Sequence, residues 1–146
     1  MQILNNAIKY DAGFKVYNYK IKGDDRGALI SIENSIDIPF EIKRVYYIFG
    51  TSSGIVRGKH AHKELKQVLI CTNGSCSVLV DDGKKKHHFL LDKPDIGLYV
   101  NGLVWREMYD FSPDCVLMVL ASDIYCEDDY IRNYSDFFKL AKGGVL

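Results

Sequence analysis

The sequence predicts an all-β domain, arranged as an antiparallel barrel or sandwich and followed by one short helix. Short apolar runs rich in β-branched and aromatic residues recur along the chain, and Gly, Asn and Asp turn signals separate them at regular intervals. Helical spacing of apolar residues appears only over residues 129–142. A length of 146 residues suits one domain with a full core, so residues 1–146 are expected to form a single unit.

The predicted strands follow in chain order, each bounded by a turn signal. Residues 14–22 alternate in polarity, residues 23–27 form a Gly-Asp-Asp-Arg-Gly turn, and residues 28–33 resume the strand pattern. The further strand-like runs are 42–49, 65–72, 75–80, 87–91, 105–109 and 115–121. Asn73-Gly74 between two of these runs predicts a hairpin, and Asp81-Asp82-Gly83 predicts the next turn.

Composition argues against nucleic-acid and membrane partners. Lys+Arg and Asp+Glu balance at 19 each, so the chain has no overall basic field. No apolar run approaches the length of a membrane span and the amino terminus lacks a signal-peptide pattern, from which we expect a cytoplasmic protein. Cys71, Cys76, Cys115 and Cys126 show no C-x-x-C spacing, and buried free thiols are favoured over disulfides or a zinc site.

Two histidines one residue apart are the leading candidates for chemistry. His60 and His62 lie on a segment that turns into a strand, where residues i and i+2 project from the same face. Neutral imidazoles at such a position can accept and return a proton near neutral pH. The alternatives are metal ligation and an exposed polar pair among the neighbouring lysines.

The spacing Gly54-x5-His60-x-His62-x4-Gln67-x6-Gly74 is similar to the first sequence motif of the cupin superfamily. Metal-binding cupins usually carry Glu where this chain has Gln67, and a further His where it has Val100. A catalytic metal typically needs three protein ligands, and two remain here. Proton transfer is therefore favoured over metal chemistry, and no metal is expected.

Arginines near the histidines suggest a phosphorylated ligand, because the planar guanidinium matches phosphate oxygens. Arg44 and Tyr46 share one face of the predicted strand 42–49, and either this face or the opposite one faces the interior. Three more arginines are candidates if they converge on the barrel mouth: Arg26, Arg57 and Arg106.

Five stretches together resemble one cupin family, the nucleotide-sugar 3,4-ketoisomerases that act on dTDP-4-keto-6-deoxyglucose. They are residues 42–49, the Arg-Gly-x-His-Ala-His-Lys run 57–63, Gly-Leu-Tyr-Val at 97–100, residues 115–122 and the tail 123–132. The resemblance extends from about residue 26 to residue 137. It implies a cupin (jelly-roll) barrel with a short carboxyl-terminal helix.

The resemblance also implies a reaction and a set of site residues. The family moves a ketone from C4 to C3 of the hexose through an enediol intermediate, without metal or organic cofactor. His60 would remove the C3 proton, with His62 as its acid/base or relay partner. The expected substrate-binding residues are Arg44 and Arg57 at the pyrophosphate, Arg26 and Arg106 at positions that vary with product configuration, and the aromatic residues Tyr46 and Tyr99.

Family members with opposite C4 products differ at the positions of Arg26 and Arg106. Arg26 resembles the galacto-type subgroup and Arg106 the gluco-type. We expect dTDP-3-keto-6-deoxy-D-galactose, with the gluco epimer as the alternative. The resemblance further implies a homodimer that exchanges amino-terminal strands, and a downstream aminotransferase that uses pyridoxal phosphate. Three other functions stay open: a non-catalytic sugar-nucleotide-binding cupin, a metal-dependent dioxygenase and a 3,5-epimerase.

Overall fold

The computed structural model describes residues 8–9 and 13–146, with side chains for 13–146. Within these residues the chain is dominated by short strands and has one α-helix. The elements are β1 (Ile8–Lys9), β2 (Phe14–Asn18), β3 (Lys22–Asp24), β4 (Gly27–Leu29), β5 (Arg44–Phe49), β6 (Arg57–His62), β7 (Gln67–Asn73), β8 (Cys76–Asp81), β9 (Lys86–Leu91), β10 (Ile96–Val100), β11 (Trp105–Tyr109), β12 (Val116–Ala121), β13 (Tyr130–Ile131) and α1 (Tyr134–Ala141).

Two antiparallel sheets enclose the core. The first has the strand order β1-β2-β10-β7-β12-β5, the second has β13-β6-β11-β8-β9, and β3 and β4 form a separate small hairpin. Neighbouring strands are mostly distant in sequence, as in a jelly roll, where long connections carry the chain from one sheet to the other. The expectation of an antiparallel β-barrel with a short carboxyl-terminal helix is confirmed.

The apolar side chains form an inner and an outer cluster on the two faces of the first sheet. The inner one fills the space between the sheets with Leu69, Val78, Leu98, Leu117 and their neighbours. The outer one lies on the opposite face, where residues 30–42 cover β2, β7 and β10. On β7 and β10, which are covered on both faces, successive side chains therefore alternate between two buried environments.

The hairpin predicted at Asn73-Gly74 is wrong. β7 pairs with β10 and β12, whereas β8 pairs with β9 and β11, so the chain crosses between sheets at this turn. Gly74 has φ +66°, and a Cβ there would lie 2.3 Å from the Ser112 hydroxyl oxygen. The close approach of the loop around Ser112 therefore requires the glycine at a barrel corner.

Three other predicted elements are shorter than expected. The strand predicted over residues 14–22 ends at Asn18, in β2. The run 28–33 forms a strand only at its start, in β4, before the chain leaves as the covering segment. The helix begins at Tyr134, because Asn133 caps it by accepting the Asp136 backbone N–H through its side chain. Residues 129–131 instead bring β13 against β6. The turn after Asp81 is confirmed, since β8 and β9 form a hairpin.

No cysteine of the described region forms a disulfide; Cys71, Cys76 and Cys115 are buried, as predicted, whereas Cys126 is exposed. Among the described residues, no helix has the length and apolar character needed to cross a membrane.

Candidate active site

A bulge in β6 brings the two predicted histidines together. Gly58 (φ +84°) and Lys59 (φ +54°) both adopt left-handed backbone conformations, and the pairing register of β6 with β11 shifts at this point. A Cβ on Gly58 would lie 2.9 Å from the Arg106 carbonyl oxygen, so the bulge needs glycine. His60 and His62 follow it with ring centroids 4.8 Å apart. The prediction that they share a face of a strand is confirmed.

Tyr130 lies against both imidazoles. It pairs with His62 across β13 and β6, and its ring centroid is 5.0 Å from that of His60 and 4.4 Å from that of His62. The Arg132 guanidinium covers the tyrosine ring at 4.3 Å, and Glu127 accepts hydrogen bonds from Arg132. Tyr130 therefore holds the two rings in place from one side.

Asp129 fixes the orientation of His62. Its Oδ2 lies 3.1 Å from His62 Nδ1, and the same carboxylate accepts the backbone N–H groups of Glu64 and Leu65. A carboxylate that only accepts favours the His62 tautomer with the proton on Nδ1. Nε2, which is buried without a hydrogen-bond partner in the described region, is then left as a proton acceptor.

Both histidines are held in the neutral form. Burial is the main cause that lowers the pKa of His60 to about 4, and the positive charge of Arg106 adds to it. Burial followed by Arg106 also lowers the pKa of His62 to about 2. At neutral pH the pair therefore carries unprotonated nitrogens that can accept protons.

Arg106 lies behind the histidines and is 1% exposed. It pairs with His60 across β11 and β6. It donates to the Gln67 side-chain oxygen at 2.6 Å and to the backbone oxygens of residues 101, 102 and 104. Gln67 in turn donates to the Tyr46 hydroxyl at 3.0 Å. A buried cation thus stands beside the imidazoles, and its donors are engaged by protein groups.

The metal that many cupins carry does not fit this arrangement. The Gln67 amide, where a carboxylate ligand would be needed, is committed to Arg106 and Tyr46. Val100 is fully buried in the apolar inner cluster. The fixed positive charge of Arg106 would also repel a cation bound to the histidines.

A cleft of about 450 Å³ opens in front of His60. We call it the histidine cleft; its walls are Arg44, Tyr46, Ile48, Val56, Arg57, Gly58, His60, Met108, Tyr130 and Arg132. Arg44 and Tyr46 face inwards on β5, while Val45, Tyr47 and Phe49 point outwards and are exposed. The Nε of Arg44 is buried without a partner among the described residues. The guanidinium groups of Arg44, Arg57 and Arg132 therefore line the same cleft as the neutral imidazole of His60.

The structure does not bring every predicted residue to this cleft. Tyr99 is buried in the outer cluster with Tyr17 and Phe40, on the far side of the first sheet. Arg26 lies on the exposed β3–β4 hairpin, where it pairs with Asp24. Arg106 and His62 are not part of the cleft wall; His62 is fully buried and borders a neighbouring cavity together with Asp129. Within one chain, direct substrate binding is therefore not indicated for Tyr99, Arg26 or Arg106.

Asp129 and Tyr130 were missed as site residues from the sequence, because residues 129–142 suggested a helix. The Tyr-Ile-Arg run at 130–132 was a visible signal, but it served only as a mark of family resemblance.

Comparison with known proteins gives consistent matches over most of the chain. The family described as "FdtA: WxcM-like, C-terminal" matches residues 12–142. A curated TDP-4-oxo-6-deoxy-alpha-D-glucose-3,4-oxoisomerase from Aneurinibacillus thermoaerophilus is 58% identical over 125 residues, which cover 86% of this chain and 90% of the relative.

Solved structures agree with this match. One is the 3,4-ketoisomerase QdtA from Thermoanaerobacterium thermosaccharolyticum, solved as a His-to-Asn variant in complex with TDP-4-keto-6-deoxyglucose. It is 47% identical to this chain with a TM-score of 0.88, and the match covers 90% of this chain and 95% of QdtA. A Tyr-to-Arg, Arg-to-His double variant of QdtA bound to TDP has a TM-score of 0.88 at 48% identity, with the same coverage. The TDP-quinovose 3,4-ketoisomerase WlaRB from Campylobacter jejuni is 51% identical with a TM-score of 0.83, covering 86% and 96%.

Proposed function

Because the chain belongs to the FdtA-type family of sugar-nucleotide 3,4-ketoisomerases, we propose that the histidine cleft is the site where it performs this isomerisation. The chain is an isomerase of TDP-linked 4-keto-6-deoxy sugars. The observation that supports the site is a pair of neutral imidazoles beside three arginines.

His60 acts as the base on carbon. The C4 ketone acidifies the neighbouring C3–H, so an imidazole that is neutral at pH 7 can remove the proton and leave an enediolate. The same proton, or one exchanged with water, then returns to C4. The hydroxyl proton moves from O3 to O4, which makes O3 the new ketone oxygen. We assign this transfer to His62, which is buried outside the cleft wall and acts through His60, whose ring centroid is 4.8 Å away. Arg44 and the Tyr46 hydroxyl lie on the cleft wall, where they can stabilise the developing oxyanion.

The pyrophosphate binds to guanidinium groups at the cleft rim. Arg57 is exposed on β6, and Arg44 has an unpartnered buried Nε. The QdtA complexes named for TDP and TDP-4-keto-6-deoxyglucose support a ligand of this class. Arg132 is partly neutralised by Glu127, so Arg44 and Arg57 are the stronger candidates.

The reaction needs no metal or organic cofactor, because the chemistry requires only proton transfers beside an existing carbonyl. The test is turnover of chelator-treated protein with TDP-4-keto-6-deoxyglucose. Unchanged turnover supports the proposal, and activity that returns only on addition of a metal contradicts it.

The proposed product is the galacto epimer, dTDP-3-keto-6-deoxy-D-galactose. The two positions substituted in the QdtA double variant lie 80 residues apart in the QdtA sequence, and Arg26 and Arg106 are also 80 residues apart in this chain. In QdtA a tyrosine and an arginine stand at those positions, so this chain differs from QdtA at Arg26 and agrees with it at Arg106. Because Arg106 is buried and its donors are engaged by protein groups, the proposed product configuration follows from Arg26.

The second candidate is the gluco product, which the similarity to a TDP-quinovose 3,4-ketoisomerase favours. Proton NMR of the reaction decides between them. A small H4–H5 coupling in the 3-keto product identifies the galacto configuration, and a large one identifies the gluco configuration.

We further propose a homodimer in which the β3–β4 hairpin of one chain completes the cleft of the other. In one chain the hairpin is exposed and Arg26 is away from its own histidines, although its spacing matches a position altered in QdtA. The amino-terminal strands that the resemblance implies are exchanged include β2, which lies along β10, and the β3–β4 hairpin follows β2 directly.

Mixing His60→Asn with Arg26→Ala tests this arrangement through the configuration of the product. When the two variants are unfolded and refolded together in equal amounts, half of the dimers are mixed and each carries one site with both native residues, so about a quarter of all sites should form the native product. No gain over the average of the separate variants would show that Arg26 does not act across the dimer. A cytoplasmic setting and a following aminotransferase that uses pyridoxal phosphate, with the 3-keto sugar as its substrate, complete the proposal.

A further inference from the structure

Three thiols from distant parts of the chain meet at one end of the barrel. Cys71 lies on β7, Cys76 begins β8, and Cys115 directly precedes β12; all three are buried. Their sulfur atoms lie within 4.8 Å of one another, and those of Cys71 and Cys115 are 3.6 Å apart. Cys71 is four residues along β7 from Gln67, or about 13 Å at the usual rise per residue, so the cluster is separate from the histidine cleft.

The spacing of the sulfur atoms suits a metal ion. Three sulfur ligands at about 2.3 Å from a zinc ion stand about 3.8 Å apart in a tetrahedral site and about 4.0 Å apart in a trigonal one. The observed 3.6 Å between Cys71 and Cys115 is close to these values. A disulfide would need about 2.05 Å and therefore a displacement of the strands.

The surrounding loops hold the thiols in place. The Cys71 sulfur donates to the Asn73 carbonyl oxygen at 3.1 Å, which puts an oxygen donor beside the three sulfurs. Asn73 donates through its side chain to the Asp114 carbonyl at 2.9 Å, and Ser75 donates to the Ser112 hydroxyl at 2.8 Å. The crossing between β7 and β8 is thus tied to the loop that positions Cys115. Such outer contacts are what keep metal ligands oriented.

We propose that Cys71, Cys76 and Cys115 form a binding site for one thiophilic divalent metal ion of the zinc class, at the end of the barrel away from the histidines. Thiolates are the binding form, so each bound ion displaces thiol protons. Affinity should therefore rise with pH, because at least two protons must be displaced.

Cobalt titration of the full chain tests the site, since Co²⁺ is a spectroscopic substitute for Zn²⁺ and shows a charge-transfer absorption only when thiolates bind it. The reduced, chelator-treated protein should develop this absorption to saturation at about one equivalent, and Zn²⁺ should abolish it. Binding of Co²⁺ at the histidine pair would produce no such absorption.

Matched variants assign the ligands. Cys76→Ala removes a proposed ligand, so it should weaken metal binding by more than the roughly 100-fold that loss of a hydrogen bond to a ligand can cost. Cys126→Ser should leave metal binding unchanged, because Cys126 is exposed and lies outside the cluster. Cys115→Ala is the second ligand variant, in case Cys76→Ala does not fold by circular dichroism. Absence of the absorption in the native chain, or its survival in the folded ligand variant, would overturn the proposal. Isomerase activity is measured separately, so either result leaves the proposed function independently testable.

Discussion

Asp129→Asn should inactivate the enzyme largely by changing the tautomer of His62. The carboxylate accepts from three groups: His62 Nδ1 at 3.1 Å and the backbone N–H groups of Glu64 at 2.9 Å and Leu65 at 3.3 Å. An amide has one oxygen, which keeps the shorter backbone bond from Glu64 at the Oδ1 position, so its NH₂ group takes the Oδ2 position and faces His62 Nδ1 and the Leu65 N–H. Nδ1 must then be the unprotonated nitrogen, and the proton moves to Nε2, where it blocks the transfer between O3 and O4.

The expected loss in kcat is roughly 10²–10⁴-fold, the range that a general acid/base contributes. KM should change little, because Asp129 does not line the histidine cleft. One charge-assisted hydrogen bond is weakened, so the free energy of unfolding should fall by about 1–3 kcal/mol. Asp128→Asn, at the exposed neighbouring position, is the control.

Steady-state kinetics and ¹⁵N NMR of the histidine rings measure both effects. The assigned role of Asp129 would be contradicted by a folded Asp129→Asn protein that keeps the Nδ1-protonated tautomer of His62 and has a kcat within about twofold of the native value.

Four further expectations concern charge around the site. Since His60 must be neutral to act and its pKa is lowered to about 4, kcat/KM should persist as pH falls below 6.5 and decline only towards pH 4; a decline centred on 6.5 in folded protein would contradict the shift. The same lowered pKa makes the free energy of unfolding decrease as pH falls from 6.5, because the unfolded chain then binds more protons. Arg57→Ala should raise KM roughly 10–100-fold through loss of a charge-assisted contact to phosphate, with Lys59→Ala as the exposed control on β6; equal KM values would remove Arg57 from the binding set. Gln67→Glu should pair with Arg106 and produce no metal requirement, and activity that becomes metal-dependent would show that Gln67 alone excludes a metal.

The alternation of side chains along the strands could be predicted, but the direction of each face could not. Residues 44–49 alternate as expected, and Tyr46 faces inwards, where Gln67 donates to its hydroxyl; Arg44 lies on the same face. Tyr99 alternates in the same way on β10, yet it faces the outer cluster. Both faces of this sheet are covered by apolar residues, so polarity along the strand does not distinguish them.

Contacts between distant residues set the rest of the site. Arg106 reaches Gln67 across 39 positions, and Asp129 reaches His62 across 67. The spacing within 129–142 resembles a helix, but pairing of Tyr130 with His62 makes its first residues a strand. Asn73-Gly74 likewise satisfied the local rule for a hairpin, while the loop around Ser112 determined its actual role.

Removal of the C3 proton by His60 is the central step of the proposed mechanism. It is tested most directly by NMR of TDP-4-keto-6-deoxyglucose in deuterated water, with native protein, His60→Asn and the control His88→Asn, which changes an exposed histidine on β9. Native protein and the control should convert the substrate to the 3-keto sugar and exchange the transferred hydrogen with solvent. His60→Asn should still bind TDP but leave the C3 hydrogen in place. Loss of that hydrogen at the native rate in His60→Asn would contradict the claim.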